Sequence, residues 1–242
     1  DKVIRREMLI KEGDRFNFSL FEKSLFRIQH LGIAELEKEP EIKPIPKDRT
    51  QIDVSAHIKE LQKGYIHFSG GYNDYSGVYG GIDYGTANFL GTGKRLDLSL
   101  DYGERIKNFV FGFSEPYFLN HPNILGFDIY YSDVIFPHLN YKRKGKGADL
   151  SFQTRIQDYW RASFAYSYEN LTVELPREEE GSFDPVYLTM FGLGSFNLSS
   201  LFVELGYSSV NSRFIPTRGI SYSFSSKFAG AFLGGDVSLI KP

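Results

Sequence analysis

The chain has 242 residues, which is enough for one large domain or two modest ones. Its 28 Lys and Arg residues nearly balance its 30 Asp and Glu residues, and the net charge of −2 gives no support to a nucleic-acid-binding protein. Because the sequence contains 0 cysteines, disulfide scaffolds, cysteine-based zinc sites and thiol catalysis are excluded.

Aromatic residues and glycine are unusually frequent, with 22 Phe, 16 Tyr and 24 Gly against 2 Met and 1 Trp. This composition is typical of a β-barrel of the outer membrane and unlike that of a soluble helical enzyme. The mean hydropathy of −0.29 agrees with a barrel, because barrel strands alternate apolar and polar residues. No apolar stretch approaches the ~20 residues that a transmembrane helix requires.

Residues 1–63 have a helical period in their first half. Ser19 is the expected N-cap of one helix, and Gly32 is expected just after its end. A shorter helix is expected from Val3 to Ile10, with the chain turning at Gly13. The apolar face of the longer helix has three- and four-residue spacing and consists of Phe18, Phe21, Leu25, Ile28 and Leu31.

The second half of this region predicts two strands, Glu35–Ile45 and Thr50–Leu61, joined by a turn at Pro46, Lys47 and Asp48. Together the elements form a small helix–helix–strand–strand unit. Two roles stay open for it from periodicity alone. It is either a simple spacer or a domain whose edge strand accepts a peptide by backbone pairing.

After Gly64 the period becomes two. Arg95–Tyr102 places every apolar side chain on one face of a strand and every polar one on the other. In a soluble sandwich the apolar face is the core, whereas in a membrane barrel it faces lipid, and alternation alone does not separate the two. The same pattern, with lapses in the last three, recurs in Asn108–Ser114, Asp149–Phe152, Arg161–Tyr168, Leu188–Phe196, Phe202–Tyr207 and Ile220–Phe224.

The connections favour the barrel, because in an up-and-down barrel successive connections alternate between the two rims. One rim is expected to carry the tight turns Asn88–Gly93, Gln157–Tyr159 and Asn197–Ser200. The other rim is expected to carry the long or charged connections Val134–Lys146, Glu169–Pro185 and Ser208–Arg218. Such an asymmetry is typical of outer-membrane barrels.

About eleven strands are expected from Tyr65 onward, the last at Asp236–Ile240. An odd number of antiparallel strands does not close on itself with antiparallel pairing, so either the strand count differs by one or the barrel is incomplete, and we expect an incomplete barrel. The chain starts at Asp1 without a signal peptide, and a mature or excised segment is therefore expected.

Sites of bond chemistry are not indicated, and neither a cofactor nor a metal is expected. The basic run Lys142–Lys146 is expected on the outer rim, either as a solvated loop end or in contact with lipopolysaccharide phosphates. Glu178–Glu180 is expected in an exposed loop of the same rim. The five histidines lack metal-ligand spacing and are assigned surface or packing roles: His30, His57, His67, His121 and His138.

Several motifs, in order along nearly the whole chain, resemble the BamA-type outer-membrane assembly factors of the bacterial surface antigen family. The segment Asp1–Glu7, with Glu12-Gly13-Asp14 and Leu31-Gly32, is similar to the last periplasmic POTRA domain of that family. Phe68–Tyr72 resembles its first barrel strand. Four later segments of the chain resemble motifs of the same family, and they are Asn88-Phe89-Leu90-Gly91-Thr92-Gly93, Ser114-Glu115-Pro116-Tyr117-Phe118-Leu119, Phe214-Ile215-Pro216-Thr217-Arg218-Gly219 and Leu233-Gly234-Gly235-Asp236.

The resemblance implies the C-terminal part of a POTRA domain over 1–63 and the N-terminal part of a transmembrane antiparallel β-barrel over 64–242, with about eleven strands of a barrel of about sixteen. It further implies a non-enzymatic factor that inserts other barrel proteins by templating at a lateral gate. The two glycines of the gate strand would weaken it, or would only permit curvature and close packing. That strand comprises Tyr65, Ile66, His67, Phe68, Ser69, Gly70, Gly71 and Tyr72.

The implied partners are unfolded outer-membrane proteins, accessory assembly lipoproteins, periplasmic chaperones and outer-membrane lipid or lipopolysaccharide, with no nucleic acid. The implied location is the bacterial outer membrane, with the POTRA portion in the periplasm. A POTRA-barrel secretion channel of the two-partner or autotransporter-assembly type remains the alternative. A passive porin is disfavoured because it needs no periplasmic recognition domain, and a soluble β-sandwich would stay monomeric without detergent.

Overall fold

A computed structural model of the chain describes residues 2–45, 48–61, 64–74, 76–137, 141–156, 159–174, 194–210, 217–230 and 233–241. The chain divides into two compact units. The first comprises Asp1–Gly64 and Thr86–Lys94, and the second comprises Tyr65–Gly85 and Arg95–Pro242. Within the described residues, no helix is long and apolar enough to cross a membrane.

The first unit contains the helices α1 (Lys2–Arg5) and α2 (Phe18–His30). The longer helix agrees with the expected period, and Gly32 follows its end with a positive φ of 68°. Its N-cap is Asn17, whose side-chain oxygen accepts the backbone N–H of Leu20 at 3.3 Å. The expectation of a Ser19 cap is therefore wrong. The first helix is shorter than expected. Beyond Arg5, the backbone N–H groups of Glu7 and Met8 donate to carbonyl groups three residues earlier, instead of four as in an α-helix.

The core of the first unit lies against one face of α2. Phe21 and Ile28 are buried as expected, whereas Phe18 is 61% exposed. Ser24 is completely buried on the same face, where its hydroxyl donates to Leu20 O at 2.7 Å and accepts from Leu9 N at 2.9 Å. The buried Ser24 hydroxyl thus has both hydrogen-bond partners satisfied, and it links α2 to the segment after α1.

Each of the two strands expected in this unit is divided in two. β1 (Ala34–Leu36) pairs with β4 (Ile58–Glu60), and β2 (Glu41–Ile45) pairs with β3 (Asp48–Ser55), giving two separate two-stranded sheets. Residues 37–40 separate β1 from β2, and Pro40 at the end of this segment has no N–H to donate to a ladder. Asp48 begins β3 and is not in the turn, and the expected turn residues 46 and 47 lie outside the described residues.

The second unit contains one large sheet of ten strands. Its strands follow one another in chain order, so each strand pairs with the strands that precede and follow it in the sequence. From β7 onward, every pair is antiparallel. The strands are β5 (Gly64–Asn73), β6 (Gly77–Phe89), β7 (Lys94–Gly103), β8 (Ile106–Glu115), β9 (Ile124–Phe136), β10 (Tyr141–Arg155), β11 (Trp160–Glu174), β12 (Gly194–Ser208), β13 (Ser221–Ala229) and β14 (Leu239–Lys241).

The register of this sheet separates an apolar face from a polar face. One row of directly opposed residues on the apolar face is Leu98, Phe111, Ile129, Ala148 and Tyr168. Ile129 is 42% exposed and Tyr168 is 44% exposed, so the apolar face is open rather than a covered core. This agrees with a barrel wall and contradicts the sandwich alternative for the described residues.

The polar face carries a row of carboxylates and small residues. Asp97 lies opposite Gly112, which lies opposite Asp128, and Asp128 in turn lies opposite Asp149. Gly112 provides the space, since a Cβ there would lie 2.7 Å from Asp128 Oδ1. The alternation predicted from the sequence therefore holds across several strands.

One predicted turn is wrong and changes the strand count. Asn197–Ser200 lies inside β12, where Asn197 is opposite Asn170 of β11. The polar side chains that suggested a turn bond across the sheet instead. Asn170 Nδ2 donates to Asn197 Oδ1 at 2.9 Å, and the hydroxyls of Tyr166 and Ser199 are 3.0 Å apart. The described residues therefore form ten strands where about eleven were expected.

The barrel is incomplete as expected, although not for the expected reason of parity. Ten is an even number, and it is the linear strand order that leaves β5 and β14 as open edges. The expected turn Asn88–Gly93 overlaps the last two residues of β6 and otherwise falls between β6 and β7. Of the expected turn Gln157–Tyr159, Tyr159 precedes β11, and 157 and 158 lie outside the described residues.

The long connections differ from the expectation. Val134–Lys146 is mostly strand, because β9 continues to Phe136 and β10 begins at Tyr141. Glu169–Pro185 begins inside β11, and residues 175–193, which include Glu178–Glu180, lie outside the described residues. The connection expected at Ser208–Arg218 follows β12, whose last residue Ser208 is at the same end of the sheet as the tight turns and not at the opposite end, and its residues 211–216 lie outside the described residues.

The turn between β6 and β7 belongs to the first unit. Ala87 packs against the buried cluster of Val3, Ile28, Ile33 and Ala34. Asn88 is 6% exposed, and its side-chain oxygen accepts the N–H of Gly93 at 2.7 Å. A Cβ at Gly93 would lie 2.8 Å from Arg6 Nη2 and 3.0 Å from Val3 Cγ1, whereas a Cβ at Gly91 would meet nothing within 4 Å.

We expect Gly93→Ala to loosen the first unit more than Gly91→Ala. Both glycines have positive φ, 71° and 73°, so both substitutions carry the left-handed backbone cost of roughly 1–2 kcal/mol. Only the substitution at 93 also displaces Val3 and Arg6. Hydrogen–deuterium exchange of peptides covering α2 in the full-length protein should be faster in Gly93→Ala. Equal exchange in the two variants would contradict the packing role of this turn.

Candidate functional site

The candidate site is the edge strand β5, which contains all eight residues expected to form the gate. Among the described residues, β5 has one neighbour in the sheet, β6. Its side chains are exposed on both faces: Tyr65 is 59% exposed, Phe68 71% and Tyr72 70%. The strand therefore presents both its side chains and one row of backbone groups without a cover in the described structure.

The polar face of β5 interlocks with β6 through complementary large and small residues. The Tyr65 ring lies where Gly85 has no side chain, since a Cβ at 85 would be 2.6 Å from the ring. Ser69 Oγ would lie 2.6 Å from a Cβ on Gly81. Between these two contacts, His67 Nδ1 lies 3.6 Å from Asp83 Oδ2.

Asp83 extends this contact to the third strand of the sheet. Ser99 of β7 donates its hydroxyl hydrogen to Asp83 Oδ1 at 2.6 Å, so one carboxylate contacts groups on both neighbouring strands. The side chains of His67 and Asp83 are 68% and 36% exposed. The arrangement orients polar groups across three strands of the sheet.

Gly70 and Gly71 occupy a different environment from the other glycines at this edge. A Cβ at Gly70 would lie 3.4 Å from Tyr79 O, and a Cβ at Gly71 would lie 3.7 Å from the Tyr79 ring. Both distances are ordinary contacts, and neither glycine has a positive φ. A side chain at 81 or 85 would therefore displace the neighbouring Ser69 or Tyr65 side chain, whereas an alanine at 70 or 71 would make only ordinary contacts.

The apolar face of β5 carries Ile66, Phe68 and Tyr72. Ile66 is 61% exposed, and on the adjacent strand Val78 is 58% exposed and Ile82 48%. Side chains of this kind, left open along an edge, are suited to contact with lipid or with another strand of the same pattern.

The turn motifs are not brought together with β5 as one site. Asn88, Phe89, Leu90, Gly91, Thr92 and Gly93 form the β6–β7 turn of the first unit. Glu115 ends β8, and Pro116 and Tyr117 lead into a short 3₁₀ helix that begins at Phe118. Thr217, Arg218 and Gly219 precede β13, and Pro216 lies outside the described residues.

The basic run Lys142–Lys146 makes contacts that its sequence pattern did not predict. Lys142, Arg143 and Lys144 lie in β10 and not in a loop. Lys142 Nζ is 3.1 Å from Asp133 Oδ2, Lys144 Nζ is 2.8 Å from Glu174 Oε2, and Arg143 Nη2 is 3.3 Å from Glu169 Oε1. The usable signal was the spacing of the lysines at 142, 144 and 146, which is the period of a strand.

Two family descriptions match the chain. The Omp85 superfamily domain matches residues 88–242, and the POTRA family, described as surface antigen variable number repeat, matches residues 1–61. The outer membrane protein assembly factor BamA of Neorickettsia risticii is 28% identical over 242 residues, which cover 100% of this chain and 31% of that protein. The chain thus spans about a third of the length of this curated relative.

Two solved structures have a similar fold. The crystal structure of BamA from Haemophilus ducreyi lacking POTRA domains 1–3 superposes with a TM-score of 0.66 at 24% identity, over 96% of this chain and 46% of that one. CdiB from Acinetobacter baumannii gives a TM-score of 0.53 at 14% identity, over 97% of this chain and 43% of that one.

These matches agree with the strand alternation and with the open apolar face. The location expected from the sequence is confirmed, with the strands in the outer membrane and the POTRA portion in the periplasm. On the Omp85 match, which covers well over half of its length, the chain belongs to the Omp85 superfamily as a BamA-type POTRA and β-barrel protein.

Proposed function

We propose that the complete protein is a β-barrel assembly factor that folds and inserts other outer-membrane proteins by pairing their strands at β5. The name of the Neorickettsia risticii relative, an outer membrane protein assembly factor, supports this function. The role is one of binding and templating, with no bond made or broken. The ordinary space that packing against β6 leaves around Gly70 and Gly71 of β5 is the observation that carries the proposal.

The physical basis is the cost of unpaired backbone groups in hydrocarbon. Each unsatisfied N–H or C=O there costs several kcal/mol, so a nascent strand needs a partner as it enters the membrane. An edge strand supplies a row of donors and acceptors in the correct spacing. The alternating side chains of β5 match the faces of an incoming strand, with His67 and Ser69 on the polar side and Phe68 on the apolar side.

Gly70 and Gly71 support an edge that exchanges partners. Glycine weakens the interior of a strand because it loses more conformational freedom on folding and provides no side chain to pack. The ordinary space around both positions argues that close packing does not account for them. We therefore assign them to lowering the cost of separating β5 from a partner strand.

The proposal includes the division of the chain and its partners. Residues 1–63 form the C-terminal part of the last POTRA domain, and residues 64–242 form the N-terminal part of the barrel. The POTRA portion would receive unfolded outer-membrane proteins, periplasmic chaperones and accessory assembly lipoproteins. The barrel wall would contact outer-membrane lipid or lipopolysaccharide.

A secretion or translocation channel with POTRA and barrel parts is the second candidate. The fold shared with CdiB supports it, but identity to that chain is 14%, against 28% to the assembly factor of Neorickettsia risticii. The two functions differ in what crosses the membrane. Export of a soluble passenger by the full-length protein in liposomes, without folding of an added barrel protein, would favour the channel.

We expect the double substitution Gly70→Ala and Gly71→Ala to slow insertion while leaving the protein folded. Each glycine replaced by alanine in a strand should stabilise β5 by roughly 0.5–1 kcal/mol, which raises the cost of exchange. The measurement is the rate at which an unfolded outer-membrane protein folds in liposomes that contain the full-length variant, followed by heat-modifiable gel mobility. A several-fold slower rate is expected.

Gly80→Ala is the matched control for this experiment, because a Cβ at 80 would lie 3.9 Å from Ser69 O and 80 belongs to the second strand. It should keep the wild-type insertion rate. If Gly80→Ala slows insertion as much as the double variant, the specific role of β5 is wrong. An unchanged rate in both variants would also exclude the glycines from the exchange.

We expect a disulfide between Ser69→Cys and an opposed cysteine in the closing strand of the full-length barrel to abolish insertion. The bond would hold the β5 edge shut, and a reductant should restore the rate. No cysteine of these 242 residues competes for the introduced pair. The cysteines need Cα atoms about 5.5 Å apart.

An internal disulfide provides the control. Asn108 and Ser132 lie directly opposite each other in β8 and β9, and Ser132 Oγ donates to Asn108 Oδ1 at 2.9 Å. Cysteines at these two positions would cross-link the wall and leave β5 free, so insertion should continue. Continued insertion with the β5 edge locked would reject the gate and leave the rest of the fold assignment intact.

A further inference from the structure

The lysines of β10 lie on the apolar face of the wall. Lys142, Lys144 and Lys146 continue the alternating series of Leu150, which is 50% exposed on that face. Lys107 of β8 joins them, because it lies opposite Asp133 of β9, which lies opposite Lys144. We refer to Lys107, Lys142, Lys144 and Lys146 as the lysine cluster.

The chain direction places the lysine cluster at the external end of the strands. β5 starts directly after the periplasmic portion, so odd-numbered connections of the sheet lie at the far end. The connection from Phe136 to Tyr141 is the fifth, and the cluster flanks it. The lysines are therefore on the side of the outer leaflet.

A row of tyrosines fixes the depth of the cluster. Tyr131 lies opposite Lys146, and Tyr102 lies opposite Lys107. Tyr131 is 40% exposed and Tyr102 is 64% exposed on the apolar face, where tyrosines mark the boundary between hydrocarbon and headgroups. Lysines at and beyond this row reach the level of the headgroups with their ammonium groups.

The charge of this patch is positive after internal pairing. Asp133 and Glu174 bind Lys142 and Lys144 and hold them against the wall. Lys146 is exposed, and its ammonium group has no ion pair or hydrogen bond among the described residues. Lys107 is also exposed, and its Nζ lies 5.5 Å from the centre of the Tyr102 ring. Two ammonium groups are thus left for an anion.

We propose that the lysine cluster binds the phosphate groups of outer-leaflet lipids, with Lys107 and Lys146 as the contacting residues. The hydrocarbon below the tyrosine row holds the acyl chains against Leu150 and Ile129, and the cluster meets the phosphorylated headgroup above it. The site follows from the outer-membrane location and not from the proposed insertase function. It would bind lipid equally in a secretion channel.

The test uses the full-length protein in a neutral detergent, with diphosphorylated lipid A as the probe and native mass spectrometry to measure its affinity. The double variant Lys107→Gln and Lys146→Gln should bind about thirtyfold more weakly, on the basis of about 1 kcal/mol for each lysine at a membrane surface. Lys107→Arg with Lys146→Arg should restore binding. Heat-modifiable mobility verifies that each variant is folded.

Arg143→Gln is the matched control, because it removes one positive charge from the same strand on the opposite face. It should leave the affinity unchanged. An equal loss in Arg143→Gln, or equal binding of dephosphorylated lipid A to the wild type, would overturn the proposal. Displacement of the lipid by inorganic phosphate at the same concentration would also overturn it, since the site would then bind free anions.

Discussion

The backbone hydrogen bond between strands is the interaction on which the rest of this structure depends. In hydrocarbon no water can replace a missing partner, so every strand inside the wall must pair on both sides. Eight of the ten strands do so, and the exceptions among the described residues are the edges β5 and β14. A wall built on this rule converts any exposed edge into a surface that favours pairing with another strand.

The same pairing rule explains why apolar and polar side chains lie on opposite faces of the sheet. Because pairing fixes the register, a period of two places Leu98, Phe111 and Ile129 in one row and Asp97 and Asp128 on the other face. Small residues then determine how closely neighbouring strands approach. Gly112 admits the Asp128 side chain, much as Gly85 admits the Tyr65 ring. Packing on the polar face therefore depends on which residues face each other across two neighbouring strands, and not on either strand alone.

Alternation and helical period predicted most of the fold, because both depend on local geometry. The alternating strands, the helix α2 that ends before Gly32, and the β6–β7 turn follow from the spacing of apolar, polar and glycine residues in the sequence. The errors arise where a polar residue has a distant partner. Asn197 is a typical turn residue by its type, but in the structure it accepts a hydrogen bond from Asn170 across the sheet. Lys142 and Lys144 are typical of a loop by their charge, but they lie in a strand and form ion pairs with Asp133 and Glu174. Likewise, only the structure separates Gly70 and Gly71 from glycines at which a side chain would displace a neighbouring one.

In the proposed function, the edge strand β5 has to detach without breaking the wall behind it, and the contacts of Asp83 in β6 differ on its two sides. Toward β7, Asp83 accepts a short hydrogen bond from Ser99, and Gly103 admits Val78 and Tyr79, since a Cβ at 103 would lie 2.6 Å from Val78 O. Toward β5, the same carboxylate is 3.6 Å from an exposed imidazole. The polar contacts of β6 are thus tighter on its inner side. If the strength of pairing follows these contacts, the outermost strand separates first, which is the order that the proposed strand exchange requires.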